Sequence, residues 1–124
     1  SSGTTTYSGS CNSSSYIDAS TFTITPSSAS SKIFIVANSL GVQEANTNFG
    51  GQVLRDSTQI AEHSTFCNTG ASRNIVPWTA MILDSPNTTS EITYKIQFRK
   101  NNSGGVGTGL FGYNGKCVYF EVAG

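Results

Sequence analysis

Residues 91–99 show a strict alternation of apolar and polar side chains. Ile92, Tyr94, Ile96 and Phe98 occupy every second position, with hydroxyl, amide or charged side chains between them. Successive side chains of a β-strand point to opposite faces, so this pattern predicts a strand with one buried face. At the helical period of about 3.6 residues, the same apolar positions would scatter around the helix axis. The segment is therefore predicted to be a half-buried strand.

Similar but shorter runs recur along the chain, separated by segments rich in Pro, Asn, Asp, Ser and Gly. These gaps are too short for the long crossovers that parallel strands need, so antiparallel pairing is favoured. We expect an all-β fold, an antiparallel β-sandwich of the jelly-roll type with about eight short strands. The other predicted strands are residues 16–18, 21–25, 32–38, 52–55, 59–63, 79–83, 109–113 and 116–122.

Two kinds of turn are expected between these strands. Asn114-Gly115, within residues 113–116, predicts a two-residue hairpin between the last two strands, because Asn and Gly tolerate positive φ angles. Asp56 lies in a short link between two strands, and Asp84 precedes a proline-containing loop. Both aspartates are interpreted as turn caps that bind backbone amides two residues further on.

The domain organisation is predicted to be simple. Residues 16–124 are expected to form one sandwich domain, since a chain of 124 residues has the size of an ordinary domain. Residues 1–15 are polar and glycine-containing, and we expect an N-terminal arm that a partner would order. No apolar run approaches the roughly 18–20 residues of a membrane span, so membrane insertion is not expected.

The composition supports a β-fold and narrows the partners. Ser, Thr, Asn and Gly supply 57 of 124 residues, and these types favour turns, strands and caps over helix interiors. Only 11% of residues are charged, and seven Lys and Arg balance seven Asp and Glu. A net charge of zero removes the electrostatic attraction on which nucleic-acid binding depends. Nucleic acid is therefore not an expected partner.

The cysteines do not predict a metal site. Cys11, Cys67 and Cys117 lie far apart, and His63 is the only histidine, so no zinc-ligand spacing is present. An odd number of cysteines allows at most one disulfide within the chain, and spacing does not choose the pair. Buried free thiols are the simpler interpretation. No cofactor and no metal are expected.

The residues of hydrolytic catalysis are present but not arranged for it. His63 is the only possible imidazole base, and no GxSxG motif accompanies it. The carboxylates that glycoside hydrolysis would need in a pair are dispersed along the chain. We therefore expect no enzymatic activity.

The candidate contact residues are aromatic, amide and basic side chains. Trp78 follows a proline next to a predicted strand, where its indole either stacks on a sugar ring or packs in the core. Aromatic and amide side chains in loops are compatible with recognition of a glycan. The candidate surface contacts are Trp78, Tyr113, Asn114, Arg99, Asn101 and Asn102.

Four segments occur in an order that resembles a known family. They are residues 22–33 (FTITPSSASSKI), 54–60 (LRDSTQI), 83–94 (LDSPNTTSEITY) and 120–124 (FEVAG). Together they resemble a β-rich domain of tailed-bacteriophage virion surface proteins, of the tail-fibre-head or capsid-decoration type. The resemblance covers roughly residues 14–124. The three cysteines and Trp78 depart from that family's pattern.

The resemblance implies a structural function on a virion. We expect a surface-exposed tail-fibre or spike head domain that mediates host attachment, with no catalytic residue. Fibre architecture implies a homotrimer, and the expected partners are other copies of the chain, other virion proteins and a glycan of the host surface. One alternative is a capsid decoration or cement protein that stabilises the shell. Another is a free carbohydrate-binding module, which shares the sandwich but not the virion location.

Overall fold

The chain folds into two antiparallel four-stranded sheets. A computed structural model describes residues 1–11, 14–43, 49–65, 74–100 and 109–124. The strands are β1 (Ser2–Cys11), β2 (Ile17–Ile24), β3 (Lys32–Gln43), β4 (Phe49–Arg55), β5 (Thr58–Thr65), β6 (Asn74–Asp84), β7 (Ile92–Lys100) and β8 (Gly109–Val122). Within the described parts of the chain, there is no helix with the length and apolar character needed to cross a bilayer.

The strand order is that of a jelly roll. The first sheet has the order β1-β8-β3-β6 and the second sheet the order β2-β7-β4-β5, with every pair antiparallel. Successive strands change sheet at every connection except the β4–β5 hairpin. This arrangement confirms the predicted antiparallel jelly-roll sandwich of eight strands.

The first strand was not expected from the sequence. Residues 2–11, predicted as part of a polar arm, form β1 and pair with β8 at the edge of the first sheet. Tyr7 anchors this strand, because its ring is buried and its hydroxyl donates a hydrogen bond of 2.6 Å to the Asn38 carbonyl. The sandwich therefore begins at residue 2 and not at residue 16.

The hairpin predicted at residues 113–116 is wrong, because β8 runs through these residues as a single strand. Between the pairs Tyr7↔Gly115 and Gly9↔Phe111, β8 advances four residues while β1 advances two, so β8 bulges there. A Cβ on Gly115 would lie 2.5 Å from Cε2 of Tyr7, which is closer than atoms can pack. Glycine is required here for the approach of the Tyr7 ring and not for a turn.

The core lies between the sheets and is rich in aromatic rings. The alternation predicted for residues 91–99 is confirmed, since Ile92, Tyr94, Ile96 and Phe98 are all at most 2% exposed. Phe98 contacts the edge of the Trp78 indole, with ring centroids 4.8 Å apart. Rings from both sheets thus interlock at the centre of the sandwich.

Trp78 depends on a glycine in the opposite sheet. Its indole is 1% exposed, and Nε1 donates a 3.1 Å hydrogen bond to the His63 carbonyl. The ring lies against Gly51 of β4, where an added Cβ would come within 2.4 Å of Cε2 of the indole. The sandwich closes around Trp78 because position 51 has no side chain.

One buried carboxylate links the two sheets at one end. Asp84, at the end of β6, is 9% exposed. Its carboxylate accepts hydrogen bonds from Arg55 Nη1 at 2.8 Å and from the Tyr94 hydroxyl at 2.6 Å, both in the second sheet. Asp84 therefore joins the sheets and does not act as the predicted cap of the following turn. A buried charge with this many donors is compensated for its loss of hydration.

Asp56, the other aspartate predicted to cap a turn, lies in the β4–β5 hairpin and bonds it to β7. Asp56 adopts a φ of 53°, and residues 56 and 57 form the short link that the sequence predicts. Its carboxylate accepts a 3.0 Å hydrogen bond from the backbone N–H of Thr93, and its own N–H donates to the Thr93 carbonyl. Asp56 thus ties the hairpin to β7, and not to an amide two residues onward as predicted.

Replacing Gly51 by Ala should destabilise the sandwich, because the new methyl group overlaps the buried Trp78 ring. We expect a loss of about 1–3 kcal/mol in the free energy of unfolding. Denaturant unfolding followed by the fluorescence of Trp78, the only tryptophan, measures it. Gly3→Ala is the matched control, since Gly3 lies on an edge strand beside the phenol end of half-buried Tyr119 and should cost less. Equal losses for the two variants would contradict the role assigned to Gly51.

Replacing Tyr94 by Phe should remove one donor from the buried Asp84 carboxylate. We expect a loss of about 1–3 kcal/mol in the free energy of unfolding. Burial, followed by the Asp84 interaction, raises the pKa of Tyr94 above its ordinary value of 10.0. The difference between wild type and variant should therefore persist up to about pH 10 and shrink only above it. Tyr16→Phe removes a bond to a solvent-exposed carboxylate and should cost less than about 1 kcal/mol.

Candidate interaction surface

The outer face of the first sheet is apolar at its centre. In β3, β6 and β8 the inward positions form the core, and the outward positions are also largely apolar. On the edge strand β6, Met81 is 72% exposed and Leu83 is 53% exposed, and both lie beside further outward apolar side chains of β3 and β8. We call this surface the apolar face; it consists of Phe34, Val36, Met81, Leu83, Val118 and Phe120.

Strand register places these six residues in two adjacent rows. Val118, Val36 and Met81 are cross-strand neighbours in one row. Phe120, Phe34 and Leu83 form the next row, with the two phenylalanine rings 5.1 Å apart. Side chains directly opposite one another on a sheet touch, so the six make one contiguous patch. A patch of this kind marks a contact surface on a soluble protein.

Polar residues limit the apolar face along the strands. Beyond the Val36 row, Lys116 pairs with Asn38, and at the other end Lys32 pairs with Val122. The two lysines are exposed and are the charged side chains at the outward positions of the described first sheet. The apolar face itself carries no charge, so covering it would leave no ion without water.

The outer face of the second sheet has the opposite character. Gln59 Nε2 donates to Gln52 Oε1 at 2.6 Å, and Gln52 Nε2 donates to Gln97 Oε1 at 2.7 Å. Gln97 Nε2 in turn donates to Asp18 Oδ1 at 2.6 Å, and Lys95 forms an ion pair of 3.3 Å with the same carboxylate. The hydrogen bond from Gln97 is the main cause of a lowered Asp18 pKa. We call this surface the polar face; it consists of Asp18, Gln52, Gln59, Lys95 and Gln97, whose side chains are bonded to one another.

Arg99 is the candidate contact residue that lies at the polar face. Its guanidinium stacks over the Tyr16 ring at 4.4 Å, and its Nη2 lies 3.3 Å from Glu62 Oε1. The Tyr16 hydroxyl donates to the same carboxylate oxygen at 2.8 Å. The three side chains come from different strands or connections and form a cluster at one end of the second sheet. Arg99 is 29% exposed and is available to a ligand from one side.

The other five candidate contact residues are one residue of the core and four whose side chains are not described. Trp78 is wrong as a surface contact, because it fills the core and its N–H is already bonded to the His63 carbonyl. The side chains of Tyr113 and Asn114 fall outside the described residues, as do Asn101 and Asn102 entirely. Of the two candidate side chains that are described, Trp78 lies in the core and Arg99 at the end of the polar face, so the structure does not bring these two together.

Sequence reasoning missed the apolar face, although the chain contains a signal for it. Residues 33–36, 81–83 and 118–120 are runs of consecutive apolar side chains, where a half-buried strand should alternate. An unbroken run predicts burial on both faces of a strand. These runs place apolar side chains on both the inner and the outer face of the first sheet.

The described chain does not assemble a recognisable chemical centre. No group of three or more His, Cys, Asp or Glu side chains that could hold a metal ion occurs among the described residues. Cys117 is buried as a free thiol, and burial raises its pKa to about 11, so it stays protonated and unreactive. Cys117 forms no disulfide in the described structure, and the side chains of Cys11 and Cys67 lie outside the described residues.

Comparison with known proteins identifies similar folds. No family model matches the chain, and no curated protein matches its sequence. A chain in the structure of infectious bursal disease virus, Gx strain, is 14% identical with a TM-score of 0.56 over 100% of this chain and 33% of that chain. The VP2 subviral particle of the same virus matches with 14% identity and a TM-score of 0.53, over 99% of this chain and 37% of that chain.

A third similar structure is the insecticidal delta-endotoxin Cry8Ea1 of Bacillus thuringiensis. It is 13% identical with a TM-score of 0.47, over 92% of this chain and 19% of that chain. The chain thus spans about a third of the length of the virus chains that it matches and less of the toxin. At these identities the virus matches show a shared β-sandwich fold and nothing finer.

The cluster of Tyr16, Glu62 and Arg99 allows a prediction about the pKa of the Tyr16 hydroxyl. The pKa of Tyr16 is raised to about 12, first by burial and then by its hydrogen bond to Glu62, while Arg99 lowers it. Glu62→Gln should bring the pKa down toward 10, and Arg99→Gln should raise it further. Phenolate absorbance against pH measures both shifts, with Tyr16→Phe identifying the transition among the five tyrosines. Shifts of the same sign in the two variants would show that the cluster is not formed.

Proposed function

We propose that the chain is a non-enzymatic structural domain exposed on the surface of a virion. The observation that carries this proposal is a jelly-roll sandwich whose first sheet has an apolar outer face. A sandwich that acts alone in water has polar outer faces on both sheets, whereas this one has a surface suited to protein–protein contact. The shared sandwich of the infectious bursal disease virus structures supports the virion location.

Within that function, we propose a tail-fibre or spike head domain that mediates host attachment. The resemblance of residues 14–124 to tailed-phage surface domains supports this placement, and fibre architecture implies a homotrimer. The polar face, with Arg99 at one end, supplies the amides, carboxylates and a guanidinium that hydrogen-bond sugar hydroxyls. Repetition of a weak site on one particle raises its avidity by about 10²–10⁴. A host glycan is therefore the proposed ligand class.

A capsid decoration or cement protein is the second candidate. The apolar face favours it, because a protein that stabilises a shell must bury surface against its neighbours. The two candidates differ in copy number and position. A decoration protein covers a shell in hundreds of copies, whereas a fibre head is present in few copies at the tail.

Antibody labelling of purified particles in the electron microscope tests the proposal. We expect label on intact particles, clustered at the tail for a fibre or spike head and spread over the shell for a decoration protein. The purified domain should also reduce adsorption of particles to host cells, and Asp18→Ala with Gln97→Ala on the polar face should weaken this competition. Thr79→Ala on the outer face of the first sheet is the control for the competition. Particles that lack the chain would refute a virion function.

A further inference from the structure

We infer that copies of this chain associate through the apolar face of the first sheet, sheet against sheet. The partner is a second copy of the chain, and the contact residues are the two rows that contain Met81 and Leu83. This inference goes beyond the proposed function, because self-association through this face does not require a virion.

The size of the outer face of the first sheet fits a self-contact. Four strands spaced about 4.8 Å apart are about 19 Å wide, and nine residues from Lys32 to Leu40 extend about 30 Å. The whole outer face, with the apolar face at its centre and the rows of Lys32 and Lys116 at its rim, therefore covers about 600 Å², and two copies together would bury up to about 1,200 Å². This total reaches the lower limit of specific, stable protein interfaces.

Charge favours a copy of the chain over a charged partner. The apolar face carries no ion, and Lys32 and Lys116 lie beyond its two ends, where they can stay in water. Seven basic and seven acidic residues give the chain no net charge, so two copies do not repel each other at neutral pH. A strongly acidic or basic partner would gain nothing from an uncharged surface.

At its β6 edge, the first sheet disfavours self-association by strand addition. β6 is an edge strand, and an exposed edge can add a strand from another copy. Pro77 lies within β6 and has no N–H to donate to such a partner. The exposed side chains of Met81 and Leu83 instead project from the face. Packing of one face on another, about 10 Å apart, is the contact that these exposed side chains favour.

Sedimentation velocity over a wide concentration range tests this inference with matched charge variants. Met81→Lys places a charge in the apolar face, and Thr23→Lys places the same charge on the exposed outer side of β2 in the second sheet. The wild-type chain should associate, and Met81→Lys should raise the dissociation constant at least about tenfold, since a twofold contact meets the change twice. Thr23→Lys should leave association unchanged.

The milder variant Val118→Thr guards against misfolding, because it removes apolar surface while keeping the shape of the side chain. It should weaken association less than Met81→Lys while circular dichroism and the fluorescence of Trp78 stay as in the wild type. A dimer that Met81→Lys dissociates supports the face as the self-contact. A wild type that stays monomeric at every concentration, or an oligomer that both face variants leave intact, overturns the inference. Absence of the chain from virions would refute the proposed function and leave this result standing.

Discussion

The closure of the two sheets around one layer of aromatic rings is the constraint on which the structure depends. Phe98 of β7 meets Trp78 of β6 at the centre of this layer, and Tyr7 brings the edge strand β1 into it. Large rings fit between sheets only about 10 Å apart where the opposite strand yields space. Gly51 in the opposite sheet supplies that space for Trp78, and Gly115 on the neighbouring strand β8 supplies it for Tyr7. Each of these rings therefore requires a glycine elsewhere in the sequence, one across the two sheets and one within the first sheet.

This closure also decides which surfaces remain for function. The core side chains lie between the two sheets. The surfaces that can contact another molecule are therefore the outer faces of the sheets and the connections between strands. On the outer side of the second sheet, three glutamine side chains form a row of hydrogen bonds with one another. The last of these amides donates to the Asp18 carboxylate. Among the described side chains of the first sheet there is no such arrangement, and Met81 and Leu83 are exposed to water. The two faces therefore offer different contacts, one polar and one apolar.

The sequence predicts those parts of the fold in which local pattern and burial agree. Residues 92–98 alternate cleanly because the outer face of β7 is solvated, so the strand and its buried positions follow directly. The sequence does not predict β1 because nine of its ten residues are Ser, Thr, Gly or Cys, which carry little apolar signal. Its place in the sheet comes from Tyr7 and from pairing with β8, a contact of high sequence separation. Asn114-Gly115 has the residues of a tight turn, but the Tyr7 ring takes the space beside Gly115, so the same pair becomes a bulge.

The difference between local pattern and contacts of high sequence separation also explains why the sequence misplaced Trp78 and missed the apolar face. Trp78 is an aromatic residue beside a proline in a polar chain, and only the glycine facing it, 27 positions earlier, turns it inward. The apolar face is the converse case, since residues 33–36 read as a strand buried on both sides, and the fold covers only one of them. A β-strand with apolar side chains on both faces is at its lowest free energy when both are covered. Only the inner of these two faces is buried within the chain, so the outward apolar side chains of the first sheet, Met81 and Leu83 among them, are the surface on which the proposed contact depends.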